Sequence, residues 1–459
     1  MKGMIEKWLI RLWNGRAARY GTTVDARGLD LGTIVTDDDG TAGRATVAQG
    51  KRAEHLAVLG KTGTGKSFLL RHIARQDVTC GRGFLYFDLH GDATEFIVGC
   101  VAEQERILHR DLSDRLIVID PADPEFSVGM NPLEPQNHAG RFVQIVEFAQ
   151  VLRQRWHLDT FGARTDELLR NSLHVLADAG LTLLELGPLL THSAFRAACL
   201  KTATNPEVRQ YFELRYDAQS DAMQATMREP ILNKTSAFTA DPHFRHIVGQ
   251  ARSTFSLLEA MDVGRWIVLN LNKGRLGEQS PTLGALFFTA SKNALFSRRS
   301  RELFTVFCDE VQNLVAYGGG LETVLSEARK FGVSVVSANQ FLDQYPPEMR
   351  AAIMAVGTHI FFQLSSADAQ QIANALDGGK PLAERLKNLP RRHIVVKSGH
   401  AAWQQAVVPT VTPPKVDPTD LYVRSRARWA RRRTAIEEEI RERQAAVNRT
   451  PNEALHDWE

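Results

Sequence analysis

The chain has 459 residues, of which 43% are hydrophobic and 24% charged, and a formal net charge of +3. This length exceeds one compact core and fits one large elaborated domain or two to three smaller ones, and the composition is that of an ordinary soluble globular protein. The weak net charge says little about partners, no apolar stretch reaches the length of a membrane span, and the start lacks the apolar region and cleavage site of a secretory signal.

Cys80, Cys100, Cys199 and Cys308 are too widely spaced for a metal pattern and read as reduced thiols in a cytosolic protein. At the start, Met4, Ile5, Trp8, Leu9, Leu12 and Trp13 recur at helical spacing, with Lys2, Lys7 and Arg11 largely elsewhere on the wheel. An amphipathic helix is expected over residues 1–15. It packs on its own domain, docks on a partner, or gives a peripheral contact to the inner face of the cell membrane. Residues 31–36 and 45–48 read as short strands around the turn Asp37-Asp38-Asp39-Gly40.

An apolar run, residues 56–59, then enters Gly60-Lys61-Thr62-Gly63-Thr64-Gly65-Lys66-Ser67, and Phe68, Leu69, Leu70 and Ile73 continue it as a helix. This is the strand–loop–helix setting of the P-loop pattern G-x-x-x-x-G-K-[ST]. The glycines let successive backbone N–H groups point at phosphate oxygens, and the helix start adds partial positive charge. Lys66 is expected to reach the β- and γ-phosphates of ATP, and the Ser67 hydroxyl to ligate Mg²⁺. The next buried-strand pattern, residues 84–88, ends in Asp88 ahead of His90 and Asp92. Asp88 and His90 either lie near the nucleotide or form an ordinary strand-to-helix turn. A further strand, residues 116–120, runs into the loop Pro121-Ala122-Asp123-Pro124.

Residues 141–238 show helical periodicity and no strand pattern, which predicts a helical subdomain inserted in the core. Its Arg228 and Lys234, with Arg245 beyond, read as scattered surface charge, with a polyanion contact as the alternative. A strand over 266–271 and a helix over about 282–297 lead to the apolar strand 303–308 and then Asp309-Glu310. This is a Walker B arrangement: Asp309 in the Mg²⁺ shell, Glu310 accepting a proton from the attacking water or orienting it. After Gly318-Gly319-Gly320, a helix is expected over 322–330 and a strand over 333–339, with Gln340 at its tip placed to sense the γ-phosphate. Arg329 and Lys330 suit a helix carboxyl end; alternatively Arg329 is an arginine finger for a neighbouring subunit. Residues 360–364 read as a strand, 365–376 as a helix and 392–397 as an edge strand. A proline-rich stretch over 409–418 precedes a charged helix in which Arg424, Arg426, Arg428, Arg431, Arg432 and Arg433 lead to Glu437-Glu438-Glu439. That helix reads as solvated with internal charge pairing, or as packing on another subunit or on DNA phosphates.

The series Gly60–Ser67, Asp88-Leu89-His90-Gly91-Asp92, Asp120-Pro121-Ala122-Asp123-Pro124 with Asn131-Pro132-Leu133-Glu134, Asn270–Gly274, Asp309-Glu310, and Glu327-Ala328-Arg329-Lys330-Phe331-Gly332 with Ala338-Asn339-Gln340 resembles the HerA/FtsK superfamily of pumping ATPases. Over roughly residues 30–410 the chain most resembles TraG/TraD-type coupling proteins of type IV secretion, especially their soluble, TraM-recognition-domain-like relatives. The resemblance implies an α/β fold: a RecA-like P-loop NTPase core with a mostly parallel central sheet and an inserted all-helical subdomain. The expected divisions are an N-terminal helix and linker over 1–29, core over 30–140 and 239–408, insert over 141–238, and a tail over 409–459. It also implies a homo-hexameric ring with nucleotide between subunits and DNA as the moved polymer. Lys66 and Ser67 would bind nucleotide and Mg²⁺, Asp309 and Glu310 would serve hydrolysis, Gln340 would sense phosphate and Arg329 would act in trans. Relaxosome or secretion-channel proteins are the implied partners. The chain departs from membrane-bound coupling proteins in lacking an apolar span, which leaves a soluble HerA-like translocase and a nucleotide-gated docking module as alternatives.

Overall fold

The computed structural model describes residues 28–35, 41–134, 141–155, 157–158, 162–312 and 320–448. The expected amphipathic helix at 1–15 and the turn at 37–40 lie outside the described residues. One sheet of 11 strands organises the chain, in the order β2-β1-β12-β11-β10-β3-β9-β8-β4-β7-β5. Its parallel part comprises β10 (Thr358–Phe361), β3 (Leu56–Leu59), β9 (Val333–Asn339), β8 (Phe304–Asp309), β4 (Phe84–Asp88), β7 (Trp266–Asn270) and β5 (Leu116–Ile119). An antiparallel flank of β11 (His393–Ser398), β12 (Gln404–Val407), β1 (Leu29–Val35) and β2 (Thr41–Val47) extends it beyond β10.

The parallel strands are continuous apolar runs because both faces are covered. Alternate residues divide between two cores: Leu56 and Val58 pack with Leu69, Leu70 and Ile73 of the P-loop helix Lys66–Thr79 and with Phe96 and Ile97 of helix Asp92–Leu108. Ala57 and Leu59 face the other side, which is covered by Leu283 and Phe287 of helix Gln279–Phe296. The expected edge strand at 392–397 is instead internal: β11 lies between β10 and β12, because the short run Gln404–Val407 returns as a hairpin partner and β1 pairs beyond it.

After β5 and the two-residue strand β6 (Phe126–Ser127), the described chain is helical until β7. Because β5 and β7 are hydrogen-bonded neighbours, this excursion leaves and rejoins the sheet at its β5 edge. Helices Pro242–Val248 and Leu257–Asp262 carry the helical character beyond residue 238. No helix among the described residues is long and apolar enough to cross a membrane.

The charged C-terminal segment packs on its own core instead of standing as a solvated helix, while keeping internal pairs such as Arg424–Asp420 and Arg443–Glu439. Helix Thr419–Trp429 covers the β5 edge: Ser425 Oγ donates to Leu116 O at 2.7 Å, and Arg424 pairs with Glu105 at 2.6 Å. Arg426 pairs with Asp123 at 3.2 Å and lies over the Phe126 ring, while β13 (Arg431–Arg432) pairs with β6. Helix Arg433–Asn448 then ties to the helical excursion through Arg443–Glu185 and Arg245–Glu437. The acidic partners on the core, Glu105, Asp123 and Glu185, lie far away in sequence, so helical spacing alone could not reveal them.

A buried ion pair fastens the P-loop helix to the sheet. The fully buried Arg52 donates to Asp77 Oδ1 and Oδ2 at 2.6 and 2.7 Å and to Thr305 Oγ1 at 2.9 Å. It thereby joins the approach to β3, the P-loop helix and β8. Removing one partner leaves an unpaired buried charge, so Asp77→Ala is expected to cost about 3–5 kcal/mol in a urea unfolding titration. A loss under about 1 kcal/mol, the level of an exposed pair, would contradict this role.

Candidate active site

The site is built at the carboxyl ends of β3, β9 and β8. Parallel register sets Leu59 beside Asn339 and Asp309 beside Ala338, so the residues that follow emerge along one line. Gly60, at the end of β3, is needed for space: a Cβ there would lie 2.5 Å from Phe362 Cβ. The loop is held from outside. Gly60 N–H donates to Asn339 O at 3.2 Å, Lys61 N–H to Gln363 O at 2.9 Å, and Arg392 N–H to Thr64 O at 2.8 Å. In a trans peptide C=O and N–H point in opposite directions, so drawing the Thr64 carbonyl outward turns the Gly65 N–H inward. Gly65 adopts φ 120°, a conformation that strains other residues. A cradle of inward N–H groups at the start of helix Lys66–Thr79 follows, suited to a phosphate chain.

Lys66 Nζ lies across this cradle, donating to Gly60 O at 2.5 Å and Lys61 O at 3.0 Å. Ser67 Oγ donates to Asp309 Oδ2 at 3.4 Å. A hydroxyl and a carboxylate thus meet beside the cradle, and these hard oxygen donors suit Mg²⁺ shared with phosphate oxygens. Gln340 joins the two halves: its Oε1 accepts from Thr62 Oγ1 at 2.9 Å and its Nε2 donates to Glu310 Oε1 at 3.1 Å. Glu310 has a left-handed backbone, φ 49°, a strain of the kind that clusters at functional sites.

The other sequence-nominated residues divide. His90 Nε2 stands 3.7 Å from Glu310 Oε1, in the site. Asp88 is spent on the turn: it accepts from Gly91 N at 2.9 Å and from Thr94 N and Oγ1 at 2.7 Å, fastening the start of helix Asp92–Leu108. Arg329 is not brought to its own P-loop. It lies in the turn Ala328–Phe331 before β9, at the opposite end of the sheet, 63% exposed and 3.1 Å from Glu54.

Residues 46–179 match the family model described as the central domain of helicase HerA. The plasmid coupling protein TrwB in complex with ADP and Mg²⁺ is similar in structure, with a TM-score of 0.60 and 18% identity over 88% of this chain and 94% of that one. VirB4 of Thermoanaerobacter pseudethanolicus is similar with a TM-score of 0.56 and 16% identity over 84% of this chain and 97% of that one. Residues 46–179 are thus similar to the HerA central domain, around the P-loop and the strands that carry it. At these identities the structural likeness speaks to the fold, which is the RecA-like, mostly parallel sheet expected from the sequence. No curated protein sequence matches the chain.

Charge at this edge of the sheet is arranged around Glu310. His90, with Lys273 and Gln340, holds the Glu310 carboxyl down at about 2, against burial. Lys273 Nζ, 3.6 Å from Glu310 Oε2, had no site role in the sequence reading, where it only closed a strand; its signal was its place just past β7, two strands from β8. Burial pushes the Asp309 carboxyl up and the Lys66 ammonium down, while each opposes that shift in the other. Contact with Glu310 raises the His90 imidazole above its usual 6.5. The His90 contribution to stability is therefore complete below pH 6.5 and lost as pH rises through its folded value. The Glu310 contribution is present above 4.5 and lost as pH falls through about 2. Histidine-labelled NMR is expected to show His90 titrating above 6.5 and falling in Glu310→Gln; an unchanged midpoint would contradict the pairing.

Proposed function

We propose that this chain binds Mg²⁺ and ATP and hydrolyses the γ-phosphate with water, working in a homo-hexameric ring that moves DNA in conjugative transfer or type IV secretion. The observation that carries the ATPase reading is the convergence of the P-loop, Ser67–Asp309 and Glu310–Gln340 at one edge of the sheet. The nucleotides bound to TrwB, a coupling protein of similar fold, support ATP and Mg²⁺ as the ligands here.

Mg²⁺ supplies neutralising charge on the phosphate oxygens, and Ser67 and Asp309 would hold it. Lys66 exchanges the Gly60 and Lys61 carbonyls for phosphate oxygens. Glu310, ionised well below neutral pH, is a weak proton acceptor in its contact with His90, so its role in this arrangement is to orient the attacking water. Gln340, hydrogen-bonded to both the P-loop and Glu310, reports occupancy of one to the other. Arg329 lies across the sheet from its own P-loop and is exposed, which supports a role at a neighbour's nucleotide. That placement supports a head-to-tail assembly, which closes into a ring in this reading. The match to the HerA central domain favours, as a second reading, a translocase of DNA processing or defence.

Steady-state ATPase assays with and without single- and double-stranded DNA test the proposal. Turnover is expected to rise with DNA and cooperatively with protein concentration. Glu310→Gln should lower it by about 10²-fold, the cost of a misplaced water, and Arg329→Ala by about 10³–10⁵. Mixing Lys66→Ala with Arg329→Ala should restore hydrolysis, because an intact P-loop can then meet an intact arginine. Turnover indifferent to DNA and concentration, with Arg329→Ala fully active, would contradict the motor and leave a docking module.

A further inference from the structure

The P-loop is flanked on two sides. Gln340, Asp309 and Glu310 approach from the β9 and β8 side, whereas residues 390–392, entering β11, approach from the β10 side. A phosphate chain whose metal-bound, γ-phosphate end faces Asp309 has its nucleoside end toward β10 and β11. At that end stands Arg392. Besides donating its N–H to Thr64 O, it accepts from Val408 N at 2.9 Å through its own carbonyl. A Cβ built on Gly65 would lie 3.3 Å from Arg392 Cγ and 3.4 Å from its Cα, so this residue touches the cradle itself.

Two features separate Arg392 from a simple buttress. Its backbone is left-handed, φ 66°, where glycine is the default and a longer side chain is disfavoured. If the backbone hydrogen bonds were the whole role, glycine would fill it with less strain. Its guanidinium also has no carboxylate: Nη1 donates to the Thr410 hydroxyl, and no ion pair among the described residues includes Arg392. Arg52, Arg329, Arg424 and Arg426, by contrast, each face an Asp or Glu. An uncompensated, half-buried cation against a phosphate cradle is a site for anionic oxygen.

We propose that Arg392 contacts the α-phosphate of the bound nucleotide in cis, its guanidinium moving from Thr410 to the ligand. This rests on the nucleotide-binding reading above. It gives the β11 hairpin a direct part in nucleotide affinity, separate from the γ-phosphate machinery on β8 and β9.

The test is titration of the full chain with fluorescent ADP, using wild type, Lys66→Ala, Arg392→Gly and Arg392→Lys, with thermal melts of each. Glycine accepts the left-handed backbone and keeps the N–H, so Arg392→Gly is expected to melt no lower than wild type. It should bind ADP about 10-fold or more weakly, the worth of one charge-assisted hydrogen bond. Arg392→Lys, which keeps the cation, should recover part of that loss. An Arg392→Gly chain that binds ADP within about twofold of wild type, a change below that of an ordinary hydrogen bond, would overturn the proposal and leave Arg392 as a backbone support. Wild type that binds no better than Lys66→Ala would instead overturn the nucleotide reading beneath it.

Discussion

The parallel hydrogen-bonded register of β10, β3, β9 and β8 is the constraint from which the site follows. It fixes Phe361, Leu59 and Asn339 side by side, with Asp309 one strand further on. Each strand therefore ends at the same edge, and the next residues of each become a part of one site: Gln363 and Asn339 anchor the P-loop, Gln340 bridges it, and Glu310 faces it. Parallel strands must begin together as well as end together. Arg329, just before β9, is consequently held at the far edge, beside Glu54 and away from its own P-loop.

Strain and charge are concentrated where this edge does its chemistry. Glu310 and Arg392, both left-handed, stand on opposite flanks of the P-loop. Left-handed non-glycine residues persist where surrounding bonds over-determine them. Glu310 has His90, Lys273 and Gln340 around it, and Arg392 has Thr64 and Val408. The helical excursion and the C-terminal arm are kept away, at the β5 edge. There the arm's arginines are matched by Glu105, Asp123 and Glu185 and tie the excursion to the core.

Sequence made the local parts legible. The P-loop and the acidic pair after β8 each sit within a few residues of an apolar strand, and Gln340 follows a strand tip, so pattern and chemistry coincide. Runs such as residues 84–88 and 266–271, whose buried faces need no alternation, were legible as strands, and the mostly parallel sheet came with the resemblance. What escaped depends on strand order, which periodicity does not encode. Lys273 reaches Glu310 because β4 alone separates β7 from β8. Arg392 reaches Gly65 because β11 is internal and not an edge. Asp88 looked as well placed as His90, yet its carboxylate is consumed by its own turn, a distinction of side-chain direction that spacing cannot make.

The most direct measurement is a structure of the chain with Mg²⁺ and a non-hydrolysable ATP analogue. Lys66 Nζ is predicted to leave the Gly60 and Lys61 carbonyls for the phosphates. The metal is predicted between Ser67 and Asp309, and the γ-phosphate beside Gln340. A nucleotide bound elsewhere, or Lys66 still on those carbonyls with phosphate in the loop, would contradict the account.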